Sequence, residues 1–201
     1  MEFNAIGIKR LAAHYLRYDL VCPIIGLEVA SSLASTYNNG GLADILAVSK
    51  QGYLIEVEVK ISLSDMKADR KKPKHEYYRK LCEIPYNNKQ RRWGKIVEVE
   101  PEEYPTHMFY FAIPHKLLNN AKLLCEDMYP YAGLLTDVTT VWSNQPSTTK
   151  MAVRREAKIL NHRKLSLLEA TRMAKGQSAT IVRLLDQIAK MDNSLVEGLE
   201  G

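Results

Sequence analysis

The sequence predicts an α/β domain in which helices flank a mixed β-sheet, followed by a C-terminal helical extension. Residues 4–20 carry apolar side chains at helical spacing, and β-rich segments follow at 24–30, 42–48 and 53–61. One helix followed by three consecutive strands favours an antiparallel meander packed on that helix. A strand, helix, strand order at 107–141 predicts a parallel crossover that completes the sheet.

The 201 residues suit one core domain with an appendage. We expect the α/β core at 1–142, a linker at 143–150, the helical extension at 151–191 and a flexible tail at 192–201. The extension is predicted from apolar residues that recur at roughly helical spacing after the linker, with an interruption at Gly176.

Local signals mark the ends of several predicted elements. Asn4 is suited to cap the first helix, and Ser62 and Ser64 are both suited to cap a helix after the third strand. Pro73 ends or kinks that helix, and a second helical piece follows it. Gly52 favours a tight hairpin turn between the second and third strands.

The charge distribution predicts a polyanionic partner. The formal net charge is +5, but the segment 67–95 carries eleven basic and three acidic residues, and the segment 150–190 carries ten and three. Two basic blocks on a modestly basic chain are typical of nucleic-acid binding. Solvated basic faces are the alternative interpretation.

Several classes of protein are disfavoured by what the sequence lacks. It has no apolar run long enough to span a membrane, and its first twenty residues do not resemble a signal peptide. The three cysteines do not form a CxxC pair, which favours reduced thiols in a cytoplasmic protein. The motifs GxxxxGK[ST], GxGxxG, GxSxG and HExxH are absent, and the histidines show no metal-ligand spacing.

The stretch from Asp44 to Lys60 is the candidate site. On the third strand, Glu56, Glu58 and Lys60 alternate with apolar residues and so share one face. A hairpin carries Asp44 on the neighbouring strand. Two carboxylates and an ammonium in one patch can hold a divalent cation and a polarised water. The alternative is a half-exposed strand with a solvated charged face.

This order of residues resembles the PD-(D/E)XK nuclease superfamily, and in particular its MmcB-like DNA-repair and related phage nuclease-like branch. The resemblance covers roughly residues 5–140 and implies a restriction-endonuclease-like core. Five elements in the same order carry it: Glu28-Val29, Ala43 to Ala47, Glu58 to Lys60, Ser62 to Lys71, and Phe111 to Pro114.

The chain departs from that pattern in three places. Ala43 stands where the family name has Pro, two extra residues lie around Pro73, and the basic loop at 86–95 resembles an insertion. These departures are compatible with a metal site but leave the substrate open.

The resemblance implies a metal-dependent nuclease that hydrolyses DNA in repair, recombination or phage DNA processing. It implies that Asp44, Glu58 and the Val59 carbonyl bind Mg²⁺ or Mn²⁺, and that Lys60 orients the attacking water and stabilises charge in the transition state. Asp44, Glu58 and Lys60 are therefore the expected catalytic residues. Auxiliary acidic groups are expected at Glu28, Glu56, Asp65 and Asp69.

DNA is the expected partner, with no membrane contact. The basic residues after the catalytic strand are the candidate phosphate contacts, and a basic loop centred on Trp93 offers a stacking surface suited to single-stranded or distorted DNA. The predicted DNA-binding residues are Lys67, Arg70, Lys71, Lys72, Arg91, Arg92 and Trp93. A solvated turn is the alternative for the Trp93 loop.

The C-terminal helices are open to three interpretations: a clamp on DNA, a homodimer surface, or a cap on the sheet. Two other functions stay open on the same fold. One is a non-catalytic DNA-binding or protein-interaction module, and the other is an RNA-processing nuclease. The expected location is the cytoplasm of a bacterial or phage-infected cell.

Overall fold

The computed structural model describes residues 4–30, 42–83, 106–142 and 145–197. Within those ranges the α-helices are α1 (Ala5–His14), α2 (Leu63–Asp69), α3 (Pro73–Glu83), α4 (Leu118–Met128) and α5 (Leu167–Glu197). The strands are β1 (Ile24–Ala30), β2 (Leu42–Val48), β3 (Leu54–Val59), β4 (Thr106–Ile113), β5 (Gly133–Trp142) and β6 (Gln145–Arg155). A π-helical turn (Tyr15–Asp19) extends α1, and a 3-10 turn (His115–Leu117) leads into α4.

The described strands form one six-stranded sheet in the order β1-β2-β3-β4-β5-β6. Strands β1, β2 and β3 pair antiparallel, β3, β4 and β5 pair parallel, and β6 returns antiparallel to β5. The predicted meander and the predicted crossover through α4 are both confirmed. The protein is therefore an α/β domain with a mixed sheet flanked by helices.

Two cores lie on opposite faces of the sheet. On one face, α1 buries Ile8 and Leu11 against Ile55 and Val57 of β3. The other face is aromatic and lies beneath α3 and α4; its buried rings are Tyr78, Phe109, Phe111, Tyr129 and Tyr131. Strand β3 separates these cores, and all six of its residues are buried. Side chains that alternate along β3 therefore enter two different environments.

Local chemistry explains where the helices and the hairpin begin. The side chain of Asn4 accepts a hydrogen bond from the backbone N–H of Gly7, as expected of an N-cap. Of the two predicted caps after β3, Ser62 is the one used, and it accepts from the N–H of Asp65. Gly52 has a φ of 87° in the β2–β3 turn, a conformation that favours glycine.

The interpretation of residues 145–155 was wrong, and residues 143–144 of the predicted linker lie outside the described residues. The predicted linker and the first residues of the predicted extension form β6 instead, paired along β5. Side chains along this strand alternate between the two faces of the sheet, and Met151 and Val153 pack on the α1 face. This alternation of period two was mistaken for part of a helical pattern that continues further along the chain.

The C-terminal helix also differs from the prediction. Helix α5 runs without interruption through Gly176 and continues to Glu197, into the segment predicted to be a flexible tail. Gly176 lies opposite Val29 of β1, where a Cβ would make an ordinary van der Waals contact with Val29 Cγ1 at 3.9 Å, and it does not break the helix. None of the helices that the structure describes is long and apolar enough to cross a membrane.

A methyl group added at Gly133 should destabilise the fold. Its Cβ would lie 2.3 Å from Cδ1 of Tyr110 and 2.8 Å from the backbone nitrogen of Ala157. We expect Gly133→Ala to lower the free energy of unfolding by about 2 kcal/mol, because the ring and the backbone must both move. Urea denaturation measures this value.

Gly176→Ala is the matched control, because its Cβ makes only ordinary contacts. Alanine is favoured over glycine by about 1 kcal/mol in a helix interior, so this variant should be as stable as the wild type or more so. Equal destabilisation of the two variants would contradict the packing described at Gly133.

Candidate functional site

Asp44 lies on β2, and its side chain contacts the backbone of β3, the strand that carries Glu58. Its Oδ2 accepts a hydrogen bond from the N–H of Val59 at 2.9 Å, and its Oδ1 lies 2.8 Å from the Nζ of Lys9. Burial opposes the charge of Asp44, but Lys9 and the Val59 N–H outweigh it and lower the pKa of the carboxyl. Asp44 is therefore an ionised carboxylate fixed beside the peptide between Glu58 and Lys60.

Glu28 joins the same group of residues from β1. Lys9 Nζ lies 3.0 Å from its Oε1, so a single ammonium bridges Glu28 and Asp44. The backbone of Glu28 has a φ of 50°, in the left-handed region that non-glycine residues rarely adopt. Such conformations cost about 1–3 kcal/mol, and the auxiliary role of Glu28 stays a prediction.

Glu56 and Glu58 point into the aromatic side of the sheet, where each has only 2% of its surface exposed. The interpretation of this face as solvated was therefore wrong. Lys74 of α3 bridges the two carboxylates: its Nζ lies 2.5 Å from Glu56 Oε1 and also contacts Glu58 Oε1. Glu56 Oε2 accepts hydrogen bonds from Tyr78 and Thr106 at 2.6 and 3.1 Å.

The pKa values of the two glutamates shift in opposite directions. Burial disfavours the charge of Glu56, but Lys74 and the Tyr78 hydroxyl outweigh it, so its pKa is lowered. Burial raises the pKa of Glu58, and the negative charges of Glu56 and Asp69 add to that effect against Lys74 and Lys72. Glu58 is thus the carboxylate whose negative charge is less well compensated.

Lys60 lies at the centre of the charged cluster. Its Nζ is 2.8 Å from Asp69 Oδ1, 3.5 Å from Asp65 Oδ1 and 3.8 Å from Glu58 Oε2. Burial lowers the pKa of the amine, but Asp69 and then Glu58 and Asp65 more than reverse this, so the pKa lies above its ordinary value. Lys60 is consequently a fixed ammonium, able to stabilise negative charge but not to act as a base near neutral pH.

Asp69 is itself held by a buried histidine. The Nε2 of His75 lies 2.5 Å from Asp69 Oδ2, and its Nδ1 lies 2.6 Å from the hydroxyl of Tyr131. Burial lowers the pKa of His75, so the ring is neutral at pH 7. Because an ionised carboxylate only accepts, Nε2 carries the proton and Nδ1 accepts from Tyr131. A chain of hydrogen bonds therefore runs from Tyr131 to Lys60.

The predicted DNA-binding residues separate into three groups. Lys67, Arg70 and Lys71 are exposed on or just after α2. Lys72 instead turns inward, with its Nζ 2.7 Å from Asp69 Oδ1 and 3.2 Å from Glu58 Oε2, although 37% of its side chain stays exposed. The remaining three, Arg91, Arg92 and Trp93, lie outside the described residues, as does the loop at 86–95.

The structure brings together Glu56, Glu58, Lys60, Asp65, Asp69 and Lys72, while Asp44 and Glu28 meet at Lys9. Lys9 and Lys74 also belong to these groups, and neither was predicted from the sequence. Lys74 and Tyr78 are four residues apart on α3 and so share a face, which is a usable signal. Lys9 lies among the apolar residues of an amphipathic helix, where a lysine is unremarkable.

The charges of the cluster nearly balance without a metal ion. Lys60, Lys72 and Lys74 face Glu56, Glu58 and Asp69, and Asp65 lies at the exposed edge. Among the described residues, no three His, Cys, Asp or Glu side chains are grouped so that they could hold a metal ion by themselves.

Removing the charge of Asp69 should destabilise the protein in a pH-dependent way. Its pKa is lowered because hydrogen bonds from His75, Lys60 and Lys72 outweigh burial. The stabilisation is therefore complete above the ordinary pKa of 3.8 and is lost as the pH falls below it. We expect Asp69→Asn to cost about 3 kcal/mol at pH 7, since partly buried ammonium groups lose their partner.

Denaturation curves from pH 7 to pH 2 measure this effect, and the gap between Asp69→Asn and wild type should narrow below about pH 4. Glu76→Gln is the matched control, because Glu76 forms an exposed ion pair with Lys80 on the surface of α3. It should change stability by less than about 0.5 kcal/mol. A gap that is constant across the whole range would contradict the role given to Asp69.

Comparison with known proteins identifies a similar fold. No family model matches the chain, and no curated protein matches it. Among solved structures, it is similar to the SPO1766 protein of unknown function from Silicibacter pomeroyi, with a TM-score of 0.54 and 13% sequence identity over 96% of each chain. At that identity the likeness extends to the fold alone, an α/β domain built on a mixed sheet.

Proposed function

We propose that this protein is a metal-dependent nuclease that hydrolyses phosphodiester bonds in DNA, and that its sheet is of the restriction-endonuclease-like kind. One observation carries the proposal. At the end of the central strand β3, Lys60 Nζ lies 3.8 Å from Glu58 Oε2. Asp44 accepts a hydrogen bond from the N–H of Val59, the residue between them. A chain that needed only a stable sheet would gain little from placing these charges in its interior.

The residues present fit a hard divalent cation in the kind of donor that they offer. Asp44 and Glu58 supply carboxylate oxygens, which suit Mg²⁺ or Mn²⁺. Both oxygens of Glu58 contact ammonium groups, so the ion must replace one of them. Lys72 is the group that can leave, because its side chain is 37% exposed, whereas that of Lys74 is 11% exposed.

A bound ion would neutralise a phosphate oxygen and lower the pKa of a coordinated water. The protein's own groups would do the rest. Lys60, held by Asp69, would orient the water and stabilise the negative charge that develops on the phosphate. His75 and Tyr131 would keep Asp69 in place, so that the ammonium of Lys60 does not have to reorganise during the reaction.

The DNA backbone would contact the exposed basic residues that follow the site. Lys67, Arg70 and Lys71 lie on or just after α2, and this helix begins immediately beyond Lys60. Basic side chains at this position can bind the phosphates on either side of the scissile bond. Free cysteines at Cys22, Cys82 and Cys125 agree with a reducing cytoplasm, where DNA repair, recombination and phage DNA processing occur.

One observation favours a second candidate, a non-catalytic DNA-binding module. The buried carboxylates of Glu56, Glu58 and Asp69 each form an ion pair with a lysine, so each has a cationic partner without a metal ion. In such a module the charges would be structural, and only the exposed basic residues would contact DNA. An RNA-processing nuclease has no comparable observation in its favour.

The decisive experiment incubates the protein with linear, nicked, single-stranded and branched DNA, and with RNA, in Mn²⁺, in Mg²⁺ or in a chelator. We expect cleavage of DNA that requires the metal. Asp44→Asn and Lys60→Met should each lower the cleavage rate at least about 100-fold, because each removes a group that acts on the transition state.

Lys80→Ala is the control for that experiment, because Lys80 lies on the exposed face of α3. Within the described part of the chain its only ion-pair partner is Glu76. It should cleave at the wild-type rate. Thermal melts must show that Asp44→Asn and Lys60→Met are folded. Cleavage that survives in folded Lys60→Met, or that needs no metal, would rule out the proposed mechanism, and salt-sensitive binding without cleavage would favour the non-catalytic module.

DNA affinity should depend on the exposed basic residues near the site. We expect the triple variant Lys67→Ala, Arg70→Ala, Lys71→Ala to bind DNA more weakly, with the slope of log K against log salt reduced in magnitude by about 2 to 3. Fluorescence anisotropy at several salt concentrations measures that slope.

A control triple variant removes basic residues that are exposed elsewhere, at Arg10, Lys50 and Lys175. Its slope should stay close to that of the wild type. If the two triple variants reduce the slope of log K against log salt by the same amount, binding is spread over the whole surface and the α2 region is not the DNA-contacting face.

A further inference from the structure

A buried ammonium, that of Lys74, lies between Glu56 and Glu58. The two carboxylates lie two residues apart on β3 and so face the same side of the sheet. Both are 2% exposed. The Nζ of Lys74 contacts Oε1 of each, so a single ammonium bridges the two carboxylates.

Lys74 is held at that position by its surroundings. It lies in the first turn of α3, next to the buried His75, and 11% of its side chain is exposed. Its ammonium also lies 5.4 Å from the centre of the Phe109 ring, which is a favourable cation–π distance. Lys72 pairs with Glu58 and Asp69, but its side chain is more than three times as exposed as that of Lys74.

Glu56 has its oxygens occupied as well. Oε1 pairs with Lys74, and Oε2 accepts hydrogen bonds from Tyr78 and Thr106. Metal binding by Glu56 would leave the Tyr78 hydroxyl and the Lys74 ammonium buried without this partner, and buried polar groups that lose partners are costly. Glu58 differs, since its Oε2 faces the partly exposed Lys72.

We infer that Lys74 is a permanent cation of the site, which occupies the position of a second divalent ion between Glu56 and Glu58, so that each chain binds one ion. This inference rests on the proposed function, because it assumes that one ion binds at Asp44 and Glu58. It assigns Glu56 to the Lys74 side of the site and not to the metal. Lys74 is then a positioning residue that limits the number of ions.

The test counts Mn²⁺ ions bound to metal-free protein, by calorimetric titration and by electron paramagnetic resonance of bound Mn²⁺. We expect one ion in the wild type, two in Lys74→Met, where two buried carboxylates lose their shared cation, and one again in Lys74→Met combined with Glu56→Gln. Lys80→Met, on the exposed face of the same helix, should bind one ion with wild-type affinity.

A second variant keeps the test decisive if Lys74→Met does not fold. Glu56→Gln alone should bind one ion with an affinity within threefold of wild type, whereas a loss of tenfold or more would overturn the inference. Two ions in the wild type, or one in folded Lys74→Met, would also overturn it and leave the proposed function standing. A wild-type protein that binds no Mn²⁺ overturns the proposed function and this inference with it.

Discussion

The burial of Glu56 and Glu58 on an inner strand is the constraint on which the rest of the site depends. A carboxylate buried on an inner strand needs a counter-charge, because it has lost its contact with water. Breaking such a buried ion pair costs about 3–5 kcal/mol. Helix α3 meets this requirement by placing Lys74 over both carboxylates. The docking of α3 on the sheet is therefore an electrostatic requirement as well as the packing of an aromatic core.

Helix α3 also positions Lys60, through a second residue. His75 follows Lys74 directly and reaches Asp69, which in turn holds the Lys60 ammonium at 2.8 Å. Since the ring of His75 is surrounded by Phe109, Phe111 and the core tyrosines, it has little freedom to move. Two neighbouring residues of one helix thus neutralise the interior carboxylates and orient the predicted catalytic lysine.

The parts of this arrangement that depend on neighbouring residues could be predicted from the sequence, and the contacts between distant elements could not. Alternation along β3 predicted which face carries Glu58, and the cap at Ser62 predicted where α2 begins, because both depend on neighbouring residues. The partners of those charges depend on how distant elements pack, so Lys9 and Lys74 were not foreseen. The strand at 145–155 was missed because its pairing with β5 decides its conformation, a contact that no local window contains.

The charged cluster is built mainly from one short segment of the chain. Apart from Asp44, the interacting acids and lysines around Lys60 come from one continuous stretch, Glu56 to His75. Joining residues that are close in sequence costs little chain entropy, so these contacts can form early in folding, before β5 and β6 pair. The segment at 84–105 lies outside this stretch. A change in the length of that segment would therefore leave the residues of the charged centre unchanged.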